Sequence, residues 1–241
     1  MNSNHNVSVI IPINNEVENV SELYGRLCAA LKPLGVRYEL IFIDDFSSDN
    51  TQEVIHALSL KDPNIFYVRL NKRSGQTAAI LRGLQEARYD VIVTMDGDLQ
   101  CDPAYIRGML GKLGEGFDVV LGRRISREDS IVIRAFSYVG NLICRSILRT
   151  PLQDISTPYR AFKRNVFSCK QQLHRGHHRF LPIFFNTEAV FYEMPIRYRK
   201  RVRGKSHYSI NKAFECLANV IALLSSMGKE NHRSGKGLIA K

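Results

Sequence analysis

Val91-Ile92-Val93-Thr94-Met95-Asp96-Gly97-Asp98-Leu99-Gln100 decides how the rest of this chain is read. A β-branched apolar run stops at two carboxylates and an amide set at alternate positions. In an extended backbone residues i, i+2 and i+4 lie on one side, so Asp96, Asp98 and Gln100 are expected to converge. Hard oxygen donors at the carboxyl end of a buried strand suit Mg2+ or Mn2+, and such a cation suits the diphosphate of a nucleotide. An isolated Asp-x-Asp is also common as a plain polar turn after a strand, so the surrounding chain has to decide.

Upstream, the chain alternates between two textures. Short apolar runs at 7–11 (closed by Pro12), 39–43, 65–70, 91–95 and 119–121 read as strands. Stretches 19–31, 48–60, 75–88 and 103–113 carry helical spacing, with Asp49 or Ser48 as a cap for the second. Alternating β and α units of this length predict a mostly parallel sheet covered on both faces. Ligands of such sheets sit at the carboxyl ends of the strands. Those ends carry Pro12-Ile13-Asn14-Asn15-Glu16, Asp44-Asp45, Asn71-Lys72-Arg73 and Asp96-Gly97-Asp98. The chain has no Gly-x-Gly-x-x-Gly. Gly204-Lys205-Ser206 lacks the upstream glycine and preceding strand of a phosphate-binding loop.

Charge divides the chain. Residues 1–120 hold 16 acidic and 11 basic side chains, residues 121–241 hold 7 acidic and 23 basic, and the whole carries +11. An acidic front suits a metal; a basic back suits anions, whether phosphorylated substrates, nucleic acid or an anionic membrane. Cys28, Cys101, Cys144, Cys169 and Cys216 are far apart, which excludes a disulfide scaffold and fits reduced thiols in the cytoplasm. The polar start, residues 1–6, does not read as a secretory signal.

Beyond residue 122 the pattern changes. Stretch 131–149 is apolar with a narrow stripe of Arg134, Asn141, Arg145 and Arg149. Stretch 213–227 is similar, with Glu215, Asn219 and Ser226. Each reads either as a core helix with one solvated face or as a helix lying on a bilayer, and fifteen residues in the second are too few for a membrane span. Residues 189–197 read as a strand pair or hairpin arm leading into Arg197-Tyr198-Arg199-Lys200-Arg201-Val202-Arg203-Gly204-Lys205. The division expected is a nucleotide-binding half (1–125), an acceptor and membrane-proximal half (126–227) and a disordered tail (228–241).

Taken together, eight blocks in order resemble the family-2 glycosyltransferases of GT-A fold. They are Val7–Pro12 with Asn15-Glu16; Ile43-Asp44-Asp45-Phe46-Ser47-Ser48-Asp49; Gly75-Gln76-Thr77-Ala78-Ala79; and Asp96-Gly97-Asp98-Leu99-Gln100 with Asp102-Pro103. The rest are Asp118–Arg124; Asp154 with Tyr159-Arg160-Ala161; His178–Pro182; and Glu193-Met194-Pro195-Ile196 with Arg201, Gly204, Lys205 and Ser206. The resemblance is to the polyprenyl-phosphate branch, which includes dolichol-phosphate mannose synthase and the bacterial undecaprenyl-phosphate sugar transferases. It implies an α/β, Rossmann-like mixed sheet flanked by helices, with C-terminal amphipathic helices. It also implies an inverting, metal-dependent transfer of a sugar from a nucleotide-sugar, UDP favoured over GDP, to a polyprenyl phosphate in cell-envelope glycan synthesis.

Carried over residue by residue, the resemblance gives Asp96, Asp98 and Gln100 to Mg2+ or Mn2+. It gives Pro12, Asn14, Glu16, Asp44, Asp45 and Asp96 to the nucleotide-sugar. Arg124, Arg127, Arg160, Arg201, Lys205 and Ser206 go to the acceptor phosphate, and Asp98, Arg124, Arg160, Arg201 and Lys205 to catalysis. A phosphate monoester is mostly dianionic at pH 7 and needs no general base. Departures are Asn14, where the family usually has an aromatic, Thr157-Pro158, where small residues are common, and an end before the transmembrane helices of many relatives. The expectation is therefore peripheral attachment to the inner face of the cell membrane, with a membrane-protein partner and oligomerisation left open. Transfer to a surface polysaccharide or lipid-linked oligosaccharide is the near rival. A nucleic-acid-binding protein leaves Asp96-Gly97-Asp98 unexplained, a nucleotidyltransferase wants a Gly-rich, Arg/Lys-bearing N-terminal loop that Pro12–Glu16 is not, and no nucleic acid partner is expected.

Overall fold

The computed structural model describes residues 6–127, 138–139, 141–142, 145, 151–167, 188–199 and 239–240. Strands β1 (Val7–Ile13) and β2 (Tyr38–Asp44) are buried at every position, which is why they read as mostly apolar runs without polar alternation. They are followed by β3 (Ile65–Arg69), β4 (Val91–Thr94), β5 (Val119–Arg127), β6 (Arg160–Lys163), β7 (Val190–Tyr198) and the two-residue β8 (Ile239–Ala240). One sheet holds all of them in the order β3-β2-β1-β4-β6-β5-β7-β8. Every pairing is parallel except the two that β6 makes with β4 and β5.

Helices α1 (Val17–Leu31), α2 (Thr51–Ser59), α3 (Gln76–Glu86) and α4 (Tyr105–Gly114) cover the sheet. Successive strand residues face opposite ways. Val9 and Ile11 of β1 join Leu40, Phe42 and Val93 beneath Leu23 and Leu27 of α1, Ile55 of α2, and Ile106 and Met109 of α4. Ile10, between them, joins Ile41, Ile43 and Ile92 on the other face, where α3 brings Ala79. Polar groups inside the sheet are paired. Glu39 accepts from Ser8 Oγ at 2.6 Å and from the Arg88 amide at 2.7 Å, tying the edge of the sheet remote from the acidic loops.

Two expectations about local elements need correction. Pro12 does not end β1. Ile13 carbonyl accepts from the Asp45 amide on the β2 side, so Pro12, one residue earlier, turns its nitrogen to the β4 side, where the pairing has already stopped at Ile10↔Thr94. Residues 189–197 form no hairpin; β7 is a single strand parallel to β5. The division at residue 125 falls inside β5, and β6 and β7 complete the sheet that the first half begins. The tail contributes Ile239 and Ala240, which pair with Val190 and Phe191.

Of the apolar stretch 131–149, residues 138, 139, 141, 142 and 145 are helical. Tyr138, Val139 and Leu142 are exposed, whereas Asn141 is buried and its Oδ1 accepts from the Ser156 amide at 3.3 Å. The stripe assigned to solvent through Asn141 faces the protein there, and the apolar residues face out. The stretch 213–227 lies outside the described residues. Among the described residues, no helix is long and apolar enough to cross a membrane.

Candidate active site

Parallel strands deliver their carboxyl ends to one edge, and antiparallel β6 delivers its amino end there. The register Thr94↔Arg160 and Leu121↔Arg160 sets Arg160 beside the end of β4. Around this edge stand the loops after β1, β2, β3 and β4, the loop 151–159 and the end of β7.

The extended geometry expected for residues 96–100 is not what forms. β4 ends at Thr94, residues 97–101 bend, and Leu99 takes a left-handed backbone with φ +63°. Asp98 Oδ1 accepts from the Gln100 amide at 3.2 Å, an Asx turn in which Asp98 folds back on its own backbone. Gly97 makes the turn fit. A Cβ at this position would stand 2.7 Å from Ile13 Cγ2, so no larger residue enters without moving β1 or the turn. Asp96 Oδ1 accepts from Gln76 Nε2 at 2.5 Å, joining the first turn of α3 to the carboxylate pair.

Gln100 is turned elsewhere. Its Nε2 donates to the Arg199 carbonyl at 2.9 Å, its Oε1 accepts from the Tyr198 hydroxyl at 3.0 Å, and its carbonyl accepts from the Arg199 amide at 2.9 Å. The amide placed with the metal ligands by sequence therefore fastens the turn to the end of β7. Burial, then the charges of Asp96 and Asp98, push the Tyr198 hydroxyl well above its ordinary pKa, so it stays a donor. The same causes push up the buried Cys101 thiol, which is held inert as a nucleophile.

A metal at Asp96 and Asp98 fits the donor chemistry. Both are partly exposed carboxylates, two residues apart on one turn, and their field is strong enough to shift both neighbouring groups. Among the described residues no group of three or more His, Cys, Asp or Glu forms a cage. Two carboxylates leave the other coordination positions to water and phosphate oxygens, the habit of Mg2+ at phosphate substrates.

The loop after β2 spends its carboxylates on itself. Asp44 is fully buried; Oδ1 accepts from Ser47 N and Oγ at 2.8 and 2.6 Å, and Oδ2 accepts from the Tyr67 hydroxyl at 2.7 Å. Asp45 Oδ1 accepts from the Ser74 and Gly75 amides at 2.6 and 2.9 Å, placing a negative charge at the start of α3. Asp49, expected only to cap α2, accepts from Thr51 N and Oγ1 and also from the Val17 amide at 3.3 Å, so it joins two helix starts. Glu16 is buried, not solvated, and its Oε2 accepts from Asn19 Nδ2 at 2.6 Å. Asn14 Nδ2 donates to the Asp45 carbonyl at 2.9 Å, while its Oδ1 is buried with no hydrogen-bond partner among the described residues.

Between these pinned residues Phe46, to which the sequence reading gave no role, is 48% exposed with φ +63°. The Arg69 guanidinium lies 5.0 Å from its ring centroid and is itself held by the Ser47 carbonyl at 2.8 Å and by Gln52. Its signal in the sequence was an aromatic immediately after an acidic pair at a strand end. Gln76 and Tyr198 were missed as partners of Asp96 and Gln100; Gln76 stood in one of the eight blocks, and Tyr198 only in the basic stretch 197–205.

The arginines assigned to an acceptor phosphate divide. Arg124 gives Nε and Nη2 to Asp154 Oδ2 and Oδ1 at 2.7 and 2.6 Å, and Nη2 also donates to Ser156 Oγ at 2.9 Å. The two side chains are 7% and 8% exposed. Burial alone would lower the Arg124 pKa, but the Asp154 hydrogen bonds and charge outweigh it and raise it. Arg160 is fully buried, with Nη2 3.5 Å from the Ile155 carbonyl. Arg127 ends β5 opposite Tyr198. Arg201, Lys205 and Ser206 lie outside the described residues. Glu193 holds the loop under Arg124 by accepting from the Gln153 and Asp154 amides at 2.8 and 2.7 Å, and burial raises its pKa.

Comparison with known proteins agrees with this arrangement. The undecaprenyl-phosphate 4-deoxy-4-formamido-L-arabinose transferase of Salmonella paratyphi A is 34% identical over 222 residues, covering 91% of this chain and 68% of the relative. The Mycobacterium tuberculosis glucosyl-3-phosphoglycerate synthase, solved with Mn2+ and UDP-glucose, superposes with a TM-score of 0.69 at 22% identity, covering 93% of this chain and 79% of that one. The same enzyme with phosphoglyceric acid also gives 0.69, covering 92% and 79%. Residues 8–170 match the family described as Glycosyl transferase family 2, and with a strand-end carboxylate pair in a mixed, helix-covered sheet the chain belongs to that family of glycosyltransferases.

Proposed function

We propose that this enzyme transfers a sugar from a nucleoside diphosphate, UDP favoured over GDP, to a polyprenyl phosphate at a membrane surface. The observation that carries the reading is the Asp96–Gly97–Asp98 turn at the end of central β4, wedged against Ile13 and tied to α3 and β7. Asp96 and Asp98 would hold Mg2+ or Mn2+, and the cation would neutralise charge growing on the departing nucleoside diphosphate. Gln76 steadies Asp96, and Gln100 keeps the turn in place rather than serving as a ligand. Asn14, with its unpartnered Oδ1, is the polar contact for the nucleoside; Asp44, Asp45 and Glu16 shape its loops through their internal hydrogen bonds.

Among the described residues of this edge, Asp44, Asp45, Asp49, Asp154 and Glu193 already serve loop amides, hydroxyls or Arg124, and Glu16 serves the Asn19 side-chain amide. That suits an acceptor that arrives as a dianion and needs no base. Arg201, Lys205 and Ser206 are the residues proposed for its phosphate, together with Arg127; Arg124 and Arg160 act as architecture. Membrane contact is supported by the outward Tyr138, Val139 and Leu142 and by the net +16 of residues 121–241. It implies a peripheral position on the inner face.

A melting screen of UDP- and GDP-sugars with and without Mn2+, followed by transfer to undecaprenyl phosphate against the neutral alcohol, tests the proposal. One nucleotide-sugar should raise the melting temperature only with the metal, and product should require the lipid phosphate. Stabilisation by no nucleotide, or equal transfer to the alcohol, refutes it.

A further inference from the structure

Phe46 bears two costs that the fold has no use for. A bulky side chain in the left-handed region is an outlier for which glycine is the usual residue. An aromatic ring left 48% exposed gains little from burial. The backbone cannot relax out of this conformation, because both neighbours are tied. On one side the Asp45 carbonyl takes Asn14 Nδ2 and its carboxylate takes the Ser74 and Gly75 amides. On the other, Ser47 is bonded through N and Oγ to buried Asp44. Strain maintained in this way is typical of a ligand site.

The ring is also held in a defined place. Arg69 lies 5.0 Å from its centroid and is anchored by the Ser47 carbonyl and Gln52, so a fixed cation backs the π-face. Phe46 stands at the carboxyl end of β2, next to the peptide that Asn14 binds, where open parallel sheets take their ligands.

We infer that Phe46 is the stacking face for the nucleobase of the donor, with Arg69 as its fixed backing. The inference rests on the nucleotide-sugar reading above and adds to it the residue that grips the base. Stacking tolerates any base, since every base has a π-face, so Phe46 supplies affinity for the nucleoside rather than a choice between uracil and guanine. The diphosphate and metal would be held at the Asp96–Asp98 turn, by contacts that do not include the ring.

The test measures Mn2+-dependent binding of UDP, GDP and inorganic pyrophosphate by calorimetry, using the full chain and its Phe46→Leu, Phe46→Gly and Phe46→Trp variants. The tighter-binding nucleotide should lose about tenfold in affinity with Leu and with Gly, at the lower end of base–aromatic stacking. It should stay within about twofold with Trp, and pyrophosphate should bind all four proteins alike. Phe46→Gly should melt no lower than the parent, since glycine suits the backbone, which separates a binding loss from a folding loss. Unchanged nucleotide affinity in Leu and Gly overturns the assignment of Phe46 alone, and so does a parallel loss of pyrophosphate. A parent protein that binds pyrophosphate but neither nucleotide more tightly overturns the nucleotide reading itself.

Discussion

Replacing Arg124 by methionine separates a structural arginine from a phosphate-binding one. The side chain has two bonds to Asp154 and one to Ser156, and both members of the ion pair are more than nine-tenths buried. Methionine replaces only the aliphatic stem and leaves the Asp154 carboxylate buried without its cation. Breaking a buried pair from one side costs about 3–5 kcal/mol. For a domain of this size each kcal/mol moves the melting temperature by about 2–4 °C, so Arg124→Met should melt about 6–20 °C lower. Arg124→Met/Asp154→Leu should recover much of that loss, because removing both charges of a buried pair is often neutral. Glu193 still accepts from the Gln153 and Asp154 amides in the double variant and keeps the loop in place. Differential scanning calorimetry on the three proteins measures this. An Arg124→Met protein melting within about 2 °C of the parent, yet impaired on lipid phosphate, would refute the structural role and return Arg124 to the acceptor site.

Asp98→Ala should leave the melting temperature within about 2 °C of the parent while abolishing Mn2+-dependent nucleotide binding and transfer; full activity of this variant in EDTA contradicts the metal assignment. Gly97→Ala places a methyl 2.7 Å from Ile13 Cγ2. It should cost about 1–3 kcal/mol of stability, as overpacking does, and weaken Mn2+ binding; an unchanged urea midpoint and Mn2+ affinity would show that the turn yields freely. Burial alone would raise the Asp118 pKa, but hydrogen bonds from Lys163 and the Val190 amide, with the Lys163 charge, lower it. A carboxylate held below its unfolded value stabilises above that value and stops doing so as pH falls through the folded one. Asp118→Asn should therefore be less stable than the parent at pH 7 and approach it below about pH 4; urea midpoints that stay equally far apart down to pH 2.5 would place the effect outside titration.

Period and punctuation were enough to find β1 to β5 and helices α1 to α4, because these elements set apolar residues on one face that tertiary packing reinforces. Leu23, Leu27 and Leu31 on α1 and Ile106, Met109 and Leu113 on α4 lie where their spacing puts them. The errors concern strand ends, where local pattern and sheet geometry separate. Pro12 reads as a terminator, yet its missing N–H costs nothing where the β4 ladder has run out. β6 has four residues, Arg160–Lys163, led by a buried arginine, and such a segment gives almost no pattern. It is a strand because β4 and β5 flank it. β7 resembles a hairpin arm because Pro195 interrupts it; Pro195 sits opposite Arg123 on β5 in a parallel ladder whose register shifts only afterwards, between Arg124 and Ser126.

At the site, residue type was legible and hydrogen-bond partners were not. An acidic pair such as Asp44-Asp45 has the composition of a ligand contact, and sequence has no means of counting how many loop amides compete for its oxygens. The fold settles the count. Asp44 is surrounded by Ser47 and Tyr67, and Asp45 by two amides that begin α3. The same holds for Gln100, which alternation placed with Asp96 and Asp98 and which a left-handed Leu99 turns toward β7. One consequence concerns how the two halves communicate. Gln100 is bonded three times to Tyr198 and Arg199, at the start of the basic stretch 197–205. Asp96 is bonded to the first turn of α3, whose start Asp45 holds. A shift of the carboxylate turn would therefore pull on both the loop that carries Phe46 and the end of β7. A metal held at that turn, as proposed, would set the geometry of the two sides together rather than of the donor side alone.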